Sequence, residues 1–151
     1  MEVKPLVYRA MTPDGERPMV GPSSRMLGVR VPPDPYPDIL PDTNGDVAPV
    51  GQGMSVAPSL RELPPHRVPR RLRHLKRGAR GRDDDRVFRM GEGDFKRCAV
   101  SDLLQLRPDP VETPEHGVIE PATQMPVPGY QEALAATRDE WSIHEESEEP
   151  R

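Results

Sequence analysis

A chain of 151 residues with 34% hydrophobic content, 30% charged content, a net charge of −4 and 21 prolines excludes a helical bundle over residues 1–128. Proline fixes its own φ, lacks a backbone donor and pushes its predecessor toward extended conformations. A mean hydropathy of −0.74 leaves apolar material for one thin core, and no apolar run approaches the roughly 18 residues that span a bilayer.

Val3 to Met11 (VKPLVYRAM) mixes β-branched and aromatic residues in near alternation and predicts the first strand. Thr12-Pro13-Asp14-Gly15 reads as a turn. Arg25 to Val31 predicts a second strand, ended by Pro32-Pro33. Residues 34–53, rich in Pro, Asp, Gly and Asn, predict a long loop of the kind that carries function.

Gly53-Met54-Ser55-Val56 opens the next ordered piece, and Ser59 stands at capping-box spacing from Glu62. Residues 67–80 form a basic connector anchored by Leu72 and Leu75. Arg86 to Met90 predicts a strand, whereas Ala99 to Leu106 fits a strand or a single helical turn. Glu115 to Ala122 predicts a strand that Pro121 places at a sheet edge or a strand end. After Pro128-Gly129, Tyr130, Leu134, Thr137 and Trp141 fall on one helical face, predicting a helix over 130–141. These elements assemble into one α+β domain over residues 1–142: a small mixed β-sheet with long Pro-rich loops and one C-terminal helix. The acidic residues 143–151 are expected to form a disordered tail.

Charge is divided unevenly. Between Arg61 and Arg89 eleven lysines and arginines face four acids, a balance of +7 that leaves −11 on the rest of the chain. Such a stretch suits a polyanion or a phosphate-bearing ligand, or is simply a solvated face. The single cysteine, Cys98, excludes an internal disulfide. Residues 1–10 lack the apolar core of a signal peptide, so the expected location is cytoplasmic.

Four scattered histidines make no zinc site. Phosphate-binding and nucleophile-elbow motifs are absent from the sequence. One constellation remains: Tyr8-Arg9-Ala10 on an early strand, Gly53 to Val56 on another, and His116 to Ala122 late in the chain. A guanidinium matches two oxygens of a diphosphate. A serine hydroxyl orients that arginine or touches a ribose, and a glutamate at 120 stabilises positive charge growing on the sugar as nicotinamide leaves. Each residue also has a plain structural role: Arg9 paired with an acid, Ser55 as a cap, Glu120 as an edge-strand charge, and His116 as a surface histidine.

The order of these segments resembles the ADP-ribosyltransferase-like toxins among type VI secretion effectors, the Tse group. The pieces that carry the resemblance are the VYRA strand, Pro37-Asp38-Ile39, Gly53-x-Ser55-Val56, and His116-x-x-Ile119-x-Pro121-Ala122 followed by Met125, Tyr130, Leu134 and Trp141. The resemblance implies a small ADP-ribosyltransferase-like fold, NAD as the substrate, and transfer of ADP-ribose or hydrolysis of NAD inside a cell. It implies a cognate antitoxin or immunity protein, and it allows a macromolecular acceptor. Carried over, it makes Arg9, Ser55, Glu120 and His116 the catalytic candidates, and Tyr8, Arg9, Gly53 and Ser55 the NAD-binding ones. The competing reading is a non-enzymatic protein that binds a polyanionic partner through residues 61–89. Aromatics are 4% of the chain and none lies between Arg61 and Arg86, which argues against nucleic acid for want of a stacking platform.

Overall fold

The computed structural model describes residues 3–109 and 116–146. In chain order the strands are β1 (Val7–Met11), β2 (Pro13–Asp14), β3 (Arg17–Pro18), β4 (Asp46–Val47), β5 (Met54–Val56), β6 (Arg86–Met90), β7 (Cys98–Ala99), β8 (Leu104–Pro108), β9 (Gly117–Pro121) and β10 (Met125–Pro126). The helix α1 (Val127–Ala135) and β11 (Ser142–Ile143) follow. The architecture is α+β: among the described residues there are small antiparallel sheets and one α-helix, with parallel pairing confined to isolated bridges.

Two sheets build the frame. One has the order β1-β6-β11 and the other β5-β9-β8-β7. They meet where Tyr8 and Ala57 exchange both backbone hydrogen bonds, at 2.7 and 3.0 Å. The period-2 geometry of a strand then sorts β1 between two cores. Val7 and Met11 enter the main cluster with Phe88, Ile119, Leu134 and Trp141. Tyr8 faces a second cluster with Leu60, Leu63, Val68, Leu72 and Val87. The basic connector is thus a small lobe whose leucines and valine fill that second core, Leu75 packing at its border.

The first strand begins at Val7 rather than Val3, since Pro5 makes only an isolated bridge to Gly93. Residues 25–31 form no strand: Arg25 lies in a turn, Met26 and Gly28 are bends, and Leu27 makes only an isolated bridge to Val20. The carbonyls of residues 24–27 are turned to other donors: Ser24 O and Met26 O accept from the Arg9 side chain, while Arg25 O and Leu27 O accept from Thr12 N and Gly21 N. Ser59 makes no side-chain cap to the 3-10 turn Leu60–Glu62. The segment 99–106 resolves into a hairpin of β7 and β8.

β9 is not an edge strand. It pairs with β5 on one side and β8 on the other, and Pro121 is tolerated because it closes the strand. α1 starts earlier and stops earlier than the apolar spacing predicts. Pro128 sits in its first turn, where a missing N–H costs nothing. After Ala135, Thr137 Oγ1 donates to Leu134 O at 2.7 Å and accepts from Trp141 Nε1 at 2.9 Å, which turns Trp141 into the core.

The start of the expected acidic tail needs correction, while its residues 147–151 lie outside the described residues. Residues 143–145 pack onto the folded domain. Ile143 pairs with Phe88, His144 N donates to Val87 O, and the Glu145 carboxylate is gripped by Arg71 and Arg86, each at 2.7 Å. Composition alone read these residues as solvated charge; specific cations on the second lobe hold them instead.

Candidate functional site

The junction between β1 and β5 forms the floor of a cleft of about 180 Å³, lined by Arg9, Ser24, Arg30, Asp38, Ser55, His66, Arg67 and His116 together with apolar neighbours. Arg9 reaches it from β1 and Ser55 from β5. His116 stands just before β9, and the connector lobe contributes His66 and Arg67. Of the residues expected to converge, Arg9, Ser55 and His116 line this cleft and Glu120 does not.

Arg9 is 5% exposed and its guanidinium is caged by carbonyl oxygens. Nη1 donates to Ser55 O at 2.7 Å, Nη2 to Ser24 O and Met26 O at 3.0 Å each, and Nε to Met26 O at 3.3 Å. Among the described residues no carboxylate pairs with it. Burial therefore pushes its pKa down to about 10, with nearby Asp38 opposing and Arg67 reinforcing the shift. Arg9 ties β1, β5 and the 24–26 segment together, and it places an uncompensated positive charge under the cleft. It is not the edge-strand ion pair of the plain structural reading.

Asp38 is the one carboxylate in the lining. Arg30 holds it through Nη2 at 2.8 Å and Nε at 3.2 Å, and the Arg30 backbone N–H adds a third bond at 2.8 Å. This contact raises the Arg30 pKa. Arg67 is different. Its guanidinium gives a single hydrogen bond among the described residues, from Nη1 to Ser24 Oγ at 3.0 Å, and has no carboxylate partner there. Partial burial, and next Arg30, lower its pKa. Burial, followed by Arg67 and Arg80, lowers that of His66. Counting Arg9, Arg30 and Arg67 against Asp38, the arginines and the carboxylate of the lining leave it cationic by two charges.

The Ser55 side chain is exposed at the cleft while its neighbours Met54 and Val56 are buried. Its hydroxyl is left to the cleft and its carbonyl to Arg9. A second depression, of about 200 Å³, is lined by Gly51, Arg107, Pro108, Asp109, Gly117 and Val118, and shares His116 with the first.

Three candidates do not line either hollow. Tyr8 is fully buried in the second core, its ring edge-on to His144 at 5.9 Å. Gly53 is required by packing: a Cβ there would stand 2.5 Å from Ile119 O and 2.7 Å from the Tyr130 hydroxyl. That hydroxyl bridges the sheet, donating to Ile119 O at 2.5 Å and accepting from Met54 N at 3.1 Å, and its burial raises the Tyr130 pKa. Glu120 is fully buried. It accepts from Gly51 N at 2.9 Å, Gln105 Nε2 at 2.5 Å and Arg107 Nε at 3.0 Å, so a carboxylate chemically apt for an oxocarbenium-like charge is spent on joining β8, β9 and the 49–51 loop.

The cleft residues with no role in the sequence reading are Ser24, Arg30, His66 and Arg67. Arg67 was one cation among eleven in the basic stretch, and nothing in spacing sets it apart. Among the described residues no helix is long and apolar enough to cross a membrane, and no cluster of three His, Cys, Asp or Glu side chains has the arrangement to hold a metal. No family model matches the chain, and it matches no curated protein and no solved structure.

Proposed function

We propose that this chain is an NAD-using toxin of the ADP-ribosyltransferase-like type VI effector class, acting on an intracellular target or on NAD itself and neutralised by a cognate antitoxin. The observation that carries the reading is the meeting of Arg9, Ser55 and His116, from three separated stretches of sequence, at one cationic cleft. A dinucleotide diphosphate carries two negative charges, the number by which the lining is positive. A hollow of about 180 Å³ is smaller than the roughly 300–1,000 Å³ of clefts that enclose a whole drug-sized ligand. It suits the diphosphate and an adjoining ribose, with the bases lying along the neighbouring surface.

NAD supplies the ADP-ribosyl group, its glycosidic bond breaking so that nicotinamide departs with the bonding electron pair. The buried Arg9 charge attracts the diphosphate, in a low-dielectric floor where it is worth more than at the surface. The Ser55 hydroxyl orients a ribose. Asp38, the carboxylate of the lining, takes the charge-stabilising role first given to Glu120, and Arg30 holds it in place. His116, at the meeting of the two hollows, stands where an acceptor group or water approaches.

The test is expression of the wild-type chain and Ser55→Ala in a bacterial host, with growth and NAD followed together. Growth arrest with NAD loss, or with ADP-ribose appearing on a macromolecule, and relief of both by Ser55→Ala, is the expected result. Arrest without either chemical change removes the transferase reading.

One observation favours the polyanion reading: Arg61, Arg73, His74, Lys76 and Arg77 line a shallow basic depression on the connector lobe. That reading requires binding whose affinity falls steeply with salt and is lost in Arg73→Gln/Arg77→Gln. A salt-insensitive complex excludes it.

A further inference from the structure

We propose that Arg67 is the arm that grips a diphosphate in this cleft, while Arg9 shapes the floor and lends it charge. The inference rests on the dinucleotide reading for its natural ligand, but its argument is one of donors and partners. Arg9 has Nε and both Nη atoms committed to carbonyl oxygens, so its planar fork is not open to a ligand. Arg30 is committed to Asp38. Arg67 lines the same hollow with only Nη1 engaged among the described residues.

Holding a partly buried guanidinium without a carboxylate, beside two other arginines, costs the ligand-free protein desolvation and like-charge repulsion. Both costs are offset when a doubly charged anion enters. A diphosphate fits because it presents paired oxygens at the spacing of a guanidinium fork, and because its charge cancels that of the lining. Ser24 Oγ, accepting from Nη1, anchors the Arg67 side chain at the hollow and leaves Nε and Nη2 uncommitted among the described residues.

The experiment titrates wild type, Arg67→Gln and Arg67→Lys with inorganic pyrophosphate, ADP-ribose and NAD by calorimetry, with Tm recorded with and without pyrophosphate. Wild type is expected to bind pyrophosphate and gain Tm with it. Arg67→Gln is expected to lose about tenfold or more in affinity for pyrophosphate and ADP-ribose, with its ligand-free Tm equal to or above wild type because the repulsion is gone. Arg67→Lys, which keeps the charge and loses the fork, is expected to fall between them, and decides the matter if the Gln variant fails to fold. Pyrophosphate binding of wild-type strength in both variants, or none by wild type, overturns the proposal. Arg67-dependent pyrophosphate binding without NAD binding or turnover upholds it and removes the transferase reading. NAD turnover unchanged in Arg67→Gln does the reverse.

Discussion

The carbonyl oxygen of Ser55 accepts a 2.7 Å hydrogen bond from Nη1 of Arg9, so two residues separated by 46 positions are locked together by the arginine's side chain and the serine's backbone. Arg9 therefore holds the sheet junction as well as the cleft, and its removal acts on folding. Arg9→Ala strands the carbonyls of Ser24, Met26 and Ser55 in a buried place, each at a cost of about 1–3 kcal/mol. The expected loss is about 3 kcal/mol or more, read as a lower Tm and a lower urea midpoint. Arg9→Lys keeps the charge, cannot reproduce the fork, and falls between. An Arg9→Ala protein as stable as wild type contradicts the cage.

Ser55→Ala separates site from scaffold. The substitution leaves the backbone carbonyl to Arg9 and removes an exposed hydroxyl. Its Tm is expected within about 1–2 °C of wild type, since exposed substitutions shift stability by about 0.5 kcal/mol or less, while NAD turnover falls at least about tenfold. Asp38→Asn is the companion variant, expected to lower kcat more than KM. Unchanged turnover in both variants, in a wild type that turns NAD over, removes them from the chemistry.

Glu120 gives the contrasting result. Its two oxygens accept from Gly51 N, Gln105 Nε2 and Arg107 Nε. Glu120→Gln sets an amide donor against one of those donors and removes the charge facing Arg107. A loss of about 2–3 kcal/mol is expected, or a Tm lower by about 5–10 °C. Folded Glu120→Gln below its Tm is expected to keep wild-type turnover per molecule. Loss of turnover with intact stability restores Glu120 as the catalytic acid.

Acid sensitivity is centred on Glu145. Burial pushes its carboxyl up, but hydrogen bonds from Arg71, Arg86 and Val87 N outweigh this and hold its pKa below the ordinary 4.5. A carboxylate depressed in the folded state adds stability that is fully present above its unfolded value and is lost as pH falls through the folded one. Tm is thus expected to drop below about pH 4.5 partly through this clamp. Glu145→Gln is expected to start lower at pH 7 and to show a shallower decline between pH 5 and 3. Parallel Tm profiles for the two proteins contradict the assignment.

How far the sequence speaks is clearest at three places. β6 is legible to the residue, Arg86–Met90, because two apolar residues inside a charged stretch have few ways to be buried, and β5 follows from Met54 and Val56 flanking an exposed serine. Arg25–Val31 has the composition of a strand, yet the chain turns at Arg25 and bends at Met26 and Gly28, and the Arg9 guanidinium takes the Ser24 and Met26 carbonyls that a strand neighbour would have used. Glu120 has the right chemistry in the wrong surroundings, since only the pairing of β9 with both β5 and β8 buries it beside Arg107.

Local order was written in the chain itself: prolines forbade long helices, near alternation marked β1, short apolar stretches marked β5 and β6, and the grouping of arginines announced a basic lobe. Periodicity and steric exclusion act between near neighbours, so they can be read along one dimension. Which arginine became a strut, which became half of an ion pair and which was left without a carboxylate was decided by the fold. Those fates depend on the carbonyls and carboxylates that distant segments bring within about 3 Å of each guanidinium, and no spacing along the chain encodes that distance.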